Sequence, residues 1–322
     1  MLTGWESDLE TLASSSPSST QSSIDEDEVN RRVAPCWSRF RHLFEARGFH
    51  LETCRDVQHY YGPTKCQHPS YYQSYGVDKL DEDALCPDPG LRENLFRGIR
   101  TSDGLKIMVK AVHLDSREFN VIRLLSTPPL RDDPMNHCIP VLALLAVPEE
   151  ALGFIVMEEW SSQLVSVTPC SFRLFLAALR QCIEHAVFMH RHQIAHLDIS
   201  LRNLLTDYKG HYAYIDFELS RCFNGTPCPR VHGLRGTEIP PEAERGELYD
   251  PYKADVWAMA ILILRACKLT GYSQLEVMEF VRPLLVDNPH QRPTMQAALY
   301  AFDRMAASID QEQLELTCPA QS

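Results

Sequence analysis

His190-Arg191-His192-Gln193-Ile194-Ala195-His196-Leu197-Asp198-Ile199-Ser200-Leu201-Arg202-Asn203 is the stretch of this 322-residue chain on which the fold reading turns. One carboxylate, Asp198, is followed five positions later by one amide, Asn203, and then by the apolar pair Leu204-Leu205. Asp and Asn both cap backbone groups in turns, so a plain loop is one reading. The other is chemical: a carboxylate that orients a hydroxyl, beside an amide oxygen that shares in holding a metal. His190, His192 and His196 have no carboxylate–histidine zinc pattern around them.

Outward from that loop the chain divides into two halves of different pattern. Upstream, Ser171 can cap a long helix with Phe172, Phe175, Leu176, Leu179, Ile183, Ala186 and Val187 as its apolar stripe. Downstream lie two short strands, 204–206 and 213–215. Residues 254–267 are apolar on every face, which suits a helix inside a large domain. Further helices are expected at 273–285 and 294–308. The first half reads differently. Residues 94–100 and 105–114 flank Thr101-Ser102-Asp103-Gly104 as a β-hairpin, with Ile107, Val109 and Ala111 alternating with Met108, Lys110 and Val112. Asp115 opens a helix, with Glu118 three residues on as in a capping box and Phe119, Ile122 and Leu125 as its stripe. Residues 139–147 and 153–157 are two more apolar strands. Residues 36–93, interrupted by Pro63, Pro69, Pro87 and Pro89, read as irregular with short helices. A small strand-rich half before a larger helical half is an α+β arrangement.

Taken in order, these segments resemble the protein-kinase family over about residues 110–300. His-x-Asp with Asn203 five residues after the Asp resembles its catalytic loop. Tyr214-Ile215-Asp216-Phe217-Glu218, thirteen residues after Asn203, resembles its metal-binding segment, and Met108-Val109-Lys110-Ala111-Val112 the strand of its ATP-binding lysine. Gly236-Thr237-Glu238-Ile239-Pro240-Pro241-Glu242 resembles the end of an activation segment. Asp255-Val256-Trp257 resembles the start of the buried helix, and Asn288-Pro289-His290-Gln291-Arg292-Pro293-Thr294 the arginine segment near the domain's end. The resemblance implies a bilobal protein-kinase-like fold, with a small β-rich N-lobe and a larger helical C-lobe. It implies Mg²⁺ and ATP in the cleft and phosphoryl transfer to Ser or Thr of a protein substrate. Asp198 would be the base, Lys110 the phosphate contact and Glu118 its anchor. Asn203 and Asp216 would hold the metal. The adenine would pair with the backbone of residues 158–160, including Glu158 and Trp160, with Met157 behind it. Glu242 and Arg292 are expected to meet. The corresponding division is a tail to residue 33, an N-terminal extension and N-lobe at 34–157, a hinge and C-lobe at 158–308, and a flexible tail at 309–322.

The sequence also departs from the family. No G-x-G-x-x-G precedes Lys110; near the expected place stand only Gly90 and Gly98. Glu218 replaces a glycine, whose backbone freedom it lacks. Leu197 replaces the arginine that pairs with an activation-segment phosphate, so phosphorylation at Thr226 or Thr237 is not expected to act through that contact. The short gap from Lys110 to Glu118 implies a trimmed loop. With the Pro-rich connection after the helix, these features are similar to divergent protein-kinase-domain proteins common in fungi. Two other functions stay open. A pseudokinase scaffold is motivated by the lost glycine loop and by Glu218. A small-molecule kinase of the choline or aminoglycoside type shares the loop and Ile-Asp-Phe-Glu, but ranks lower because of Pro241-Glu242, Asp255-Val256-Trp257 and Arg292-Pro293-Thr294.

The formal charge of −12 argues against a general binder of nucleic acid or of anionic membranes. Eleven scattered cysteines without CxxC pairs fit reduced thiols in a cytoplasmic or nuclear, soluble protein. The opening MLTGWESDLE lacks the features of a secretory signal, and the longest apolar run, 256–264, is too short to span a bilayer. The acidic, Ser-rich residues 1–33 bury too little apolar surface to order themselves and are expected to be disordered.

Overall fold

A computed structural model of the chain describes residues 33–61, 81–164, 171–233 and 235–317. The expected tail at 1–33 therefore lies, but for residue 33, outside the described residues. The strand patterns of the first half form one antiparallel sheet. Its members are β1 (Phe49–Leu51), β2 (Leu95–Arg100), β3 (Lys106–His113), β4 (Val141–Val147) and β5 (Leu152–Glu158), in the order β1-β2-β3-β5-β4. Period-two alternation sorts β3 between two environments. Ile107, Val109 and Ala111 are fully buried against helix α1 (Trp37–Glu45), in a cluster with Phe40, Phe44, Phe96 and Phe154. Met108 and Lys110 face the other way.

The described parts of residues 36–93 hold the expected short helices, α1 and α2 (Cys54–Tyr61), and in addition the strand β1. A three-residue strand is too short to show alternation, and α1 declares itself only through Phe40 and Phe44, one turn apart. β1 can close on β2 because Gly98 has no side chain. A Cβ there would lie 2.4 Å from the carbonyl oxygen of His50.

Helix α3 (Arg117–Leu125) follows β3. Its cap is Ser116, not Asp115. Ser116 has extended backbone, and its hydroxyl accepts a hydrogen bond from Phe119 N at 3.2 Å. Glu118 is thereby released from any capping role.

The second half is helical. Helix α4 (Phe172–Arg191) starts at Ser171 as expected, the hydroxyl accepting from Leu174 N. Four short strands follow: β6 (Ile194–Ala195), β7 (Leu204–Thr206), β8 (Tyr212–Tyr214) and β9 (Arg221–Cys222). β7 pairs with β8, and β6 with β9. Then come α5 (Pro241–Glu244), α6 (Pro251–Thr270), α7 (Leu275–Val281), α8 (Met295–Ser308) and α9 (Gln311–Leu314). α6 is apolar around most of its surface and runs through the core of this lobe. Asp250 caps its start, accepting from Tyr252 N and Lys253 N, and Gly271 ends it with φ of 79°. α7 is shorter than the pattern at 273–285; a 3₁₀ turn, Arg282–Leu285, takes over where Pro283 stands.

Of the tail expected to be flexible at 309–322, residues 318–322 lie outside the described residues, while 309–317 are packed. Ile309 is buried, Asp310 caps α9, Phe172 N donates to Leu316 O at 2.8 Å, and Ser171 bridges to Thr317. These contacts fasten residues 309–317 to the start of α4. Among the described residues no helix is long and apolar enough to cross a membrane.

Candidate active site

Lys110 leaves β3 on the face opposite α1 and meets two carboxylates. Its Nζ donates to Glu118 Oε1 at 2.7 Å and to Asp216 Oδ1 at 2.8 Å. Glu118 comes from α3 in the small lobe, and Asp216 from the segment after β8 in the large lobe. The three side chains are 15%, 2% and 24% exposed. Burial alone would discharge Lys110, but the two carboxylates outweigh it and hold its pKa above the ordinary lysine value. Burial raises Glu118, against the pull of Lys110. Burial also acts to raise Asp216, but there Lys110 wins and the carboxyl is held below its usual range. The short gap between Lys110 and Glu118 is sufficient because α3 begins directly after β3.

Asp216 has φ of 65°, a left-handed conformation that Asp tolerates better than most residues. Glu218 is not among the positive-φ residues, so its replacement of glycine imposes no strain of that kind in this arrangement. Phe217 is fully buried between the lobes, 5.1 Å from the ring of His196 and 6.0 Å from that of His185.

Asp198 lies on the loop after β6. Its Oδ2 accepts from Asn203 Nδ2 at 2.7 Å, and its Oδ1 accepts from Thr237 N at 2.6 Å. Asn203 Nδ2 also reaches the carbonyl oxygen of Asp198 at 3.0 Å. Ile215 N donates to Asn203 O at 3.0 Å, which brings Asn203 up to the segment that carries Asp216. Thr237 comes this close because Gly236 precedes it: a Cβ at 236 would lie 2.5 Å from the carbonyl oxygen of Leu197.

Asp255 is a residue whose part in the site the sequence reading missed. At 1% exposure near the start of α6, it accepts from His190 Nε2 at 2.9 Å, His196 N at 2.8 Å and Leu197 N at 2.8 Å. Leu197 has φ of 63°, which costs a leucine roughly 1–2 kcal/mol. The Asp255 bonds hold the loop in that shape. The signal was present, since Asp255 is a lone acid in an apolar helix, but only the fold reveals what it faces.

Glu242 and Arg292 meet as expected. Both are 1% exposed, and they pair through two bonds of 2.7 Å each. The guanidinium also donates to the carbonyls of Val286, Lys253 and Asp287, and it stacks 4.9 Å from the ring of Trp257.

The sequence also has likenesses among known proteins. A family profile described as "Protein kinase domain" matches residues 154–275. Over that part of its length the chain is similar to protein kinases. Its relatives include sperm motility kinase W of Mus musculus, 37% identical over 84 residues, which are 26% of this chain and 17% of that protein. The serine/threonine-protein kinase kin-29 of Caenorhabditis elegans is 27% identical over 135 residues, 35% of this chain and 16% of the relative. The serine/threonine-protein kinase HAL4/SAT4 of Saccharomyces cerevisiae is 31% identical over 90 residues, 26% and 15%. The matched part of the chain thus spans less than a fifth of the length of each of these relatives.

Within this kinase-like domain the connection between the lobes begins where β5 ends. Met157 is 7% exposed and pairs with Met108 across the sheet. Glu158 N donates to Pro140 O, and Trp160 Nε1 to Glu158 Oε2 at 2.9 Å. The missing glycine loop also has a location. β1 and β2 are the first two strands of the sheet, and residues 52–94 join them at the end where Leu95 pairs with Lys110. Of this connection the structure describes α2 and residues 81–94, which stand next to the end of β2 where a short glycine-rich turn is expected.

Proposed function

We propose that this kinase-like domain is an ATP-dependent protein kinase that transfers a phosphoryl group to Ser or Thr of a protein substrate. The observation that carries the reading is Lys110, one cation bonded to a carboxylate from each lobe. That bridge aligns a phosphate-binding ammonium of the small lobe with the metal-binding carboxylate of the large lobe. The choice of Ser or Thr follows the serine/threonine-protein kinases among its relatives.

The donors fit a hard cation: Asn203 and Asp216 offer amide and carboxylate oxygens, the ligands that Mg²⁺ prefers. Bound there, Mg²⁺ would offset the charge of the ATP phosphates. Asp198 spends one lone pair of each oxygen on Thr237 N and Asn203 Nδ2 and keeps the others for an incoming hydroxyl. The hydroxyl oxygen attacks the γ-phosphorus as the bond to the β–γ bridging oxygen breaks, ADP leaves, and the hydroxyl proton passes to Asp198. Met157, Glu158 and Trp160 would receive the base. The cysteines described are all free thiols, which supports a reducing compartment, cytoplasm or nucleus.

A pseudokinase scaffold is the second reading. It is favoured by the connection 52–94, where no G-x-G-x-x-G supplies the backbone N–H groups of a glycine loop. The test is transfer of label from γ-labelled ATP to the chain itself or to a general protein acceptor. The expected result is incorporation that falls about 10²-fold or more in Asp198→Asn. Equal incorporation in both would move the reading to the scaffold. Label found on a small amine or alcohol but on no protein would move it to the small-molecule kinases.

A further inference from the structure

Arg97 stands in β2 directly opposite Met108 of β3, two positions before Lys110 on the same strand face. Its neighbour Phe96 points into the α1 cluster, so Arg97 projects from the cleft side. There its guanidinium joins two carboxylates from different parts of the chain. Nε donates to Glu159 Oε1 at 2.6 Å, in the connection between the lobes, and an Nη nitrogen donates to Asp88, in the connection 52–94. The three side chains are 24%, 18% and 34% exposed. The same segment also bonds Arg97 through its backbone, Glu52 N donating to Arg97 O at 3.0 Å, and the Glu52 side chain is itself buried.

Base-binding pockets are lined mostly by apolar groups with a few polar contacts. Here the strand position facing Met108 carries a charged side chain, tied at one end to the residue between Glu158 and Trp160. Nothing in the Lys110 and Asp198 chemistry uses this ion pair. It joins the three elements that a nucleotide base would have to enter between: β2, the lobe connection and the connection 52–94.

We propose that Asp88, Arg97 and Glu159 form a latch that keeps the base side of the cleft closed and must open before a nucleotide binds. The inference rests on the kinase reading. A closed state that excludes ligand lowers apparent affinity by the fraction of molecules that are open. Weakening the latch raises that fraction without touching Lys110, Asp198, Asn203 or Asp216.

The test is calorimetric titration of ATP with Mg²⁺ into the full chain, into Arg97→Met, which keeps the aliphatic stem, and into Asp88→Asn, which leaves Arg97 in place. Both variants are expected to bind about tenfold or more tightly than the wild type. Equal or weaker binding in the variants overturns the latch and leaves the kinase reading intact. Absence of binding in all three overturns both.

Discussion

Arg292 carries its charge at 1% exposure, and Glu242 is what makes that tolerable. Removing one member of a buried pair leaves the other without compensation, which costs about 3–5 kcal/mol. Glu242→Ala is therefore expected to lower the unfolding free energy measured in urea by that much; an unchanged value would mean that the pair is not closed in solution. Gly236 fixes a different distance. A methyl group at 236 has no room beside the carbonyl oxygen of Leu197, so Gly236→Ala must push Thr237 away from Asp198. A misplacement of about 1 Å near the reacting groups can cost on the order of 10²-fold in rate. Label transfer should fall by that order while the unfolding midpoint changes little. Transfer at the wild-type rate would remove the Thr237–Asp198 contact from the account. Both contacts involve residues singled out in the sequence, and the Glu242–Arg292 meeting was legible there. The clash at Gly236 was not, because it depends on a backbone 39 residues away.

At the scale of elements, α6 is the platform on which the loop carrying Asp198 rests. Its apolar surface made it readable as a buried helix. The role of Asp255, however, appears only when β6 and the following loop are brought onto its first turn. Hydrogen bonds to a charged group contribute about 1.5–3 kcal/mol each, and three converge on this carboxylate. Asp255→Ala is expected to lose at least about 2 kcal/mol of stability and to release Leu197 from its positive φ, so that amide exchange at 196–198 speeds up. Slow exchange there in the variant would show that the loop holds itself. The long helices and the hairpin were legible because their periodicity runs for several turns or residues. β1 and the place of α1 were not, because three strand residues carry no pattern and α1 is defined by the sheet face it covers. The cap of α3 was misread by one position, because Asp115 and Ser116 are both capable caps and backbone geometry chooses between them.

For the whole molecule, three histidines sit in or near the interface between the lobes. Burial lowers the pKa of His185, and His196 and His137 add to it. Burial likewise lowers His196, against the pull of Asp255, Asp198 and Asp216, and His137, against Glu184. Each folded-state value lies below the unfolded one, so the unfolded chain takes up protons first as pH falls. Stability is thus fully present above about pH 6.5 and declines as pH drops through that value. The urea midpoint should be lower at pH 5.5 than at pH 7.5, and His185→Phe should reduce the difference. A midpoint independent of pH would contradict this. The two-lobed order was readable from one half rich in strands and one rich in helices. The contact of Lys110 with Asp216 was not read from the sequence, which placed the two in separate motifs 106 residues apart. The central claim is that this contact makes a nucleotide site. The most direct measurement is calorimetric titration of ATP into the wild type and Asp216→Ala, each with and without Mg²⁺. The account predicts binding that requires the metal and is lost in the variant. Binding indifferent to metal and to Asp216, or none at millimolar ATP, would contradict it.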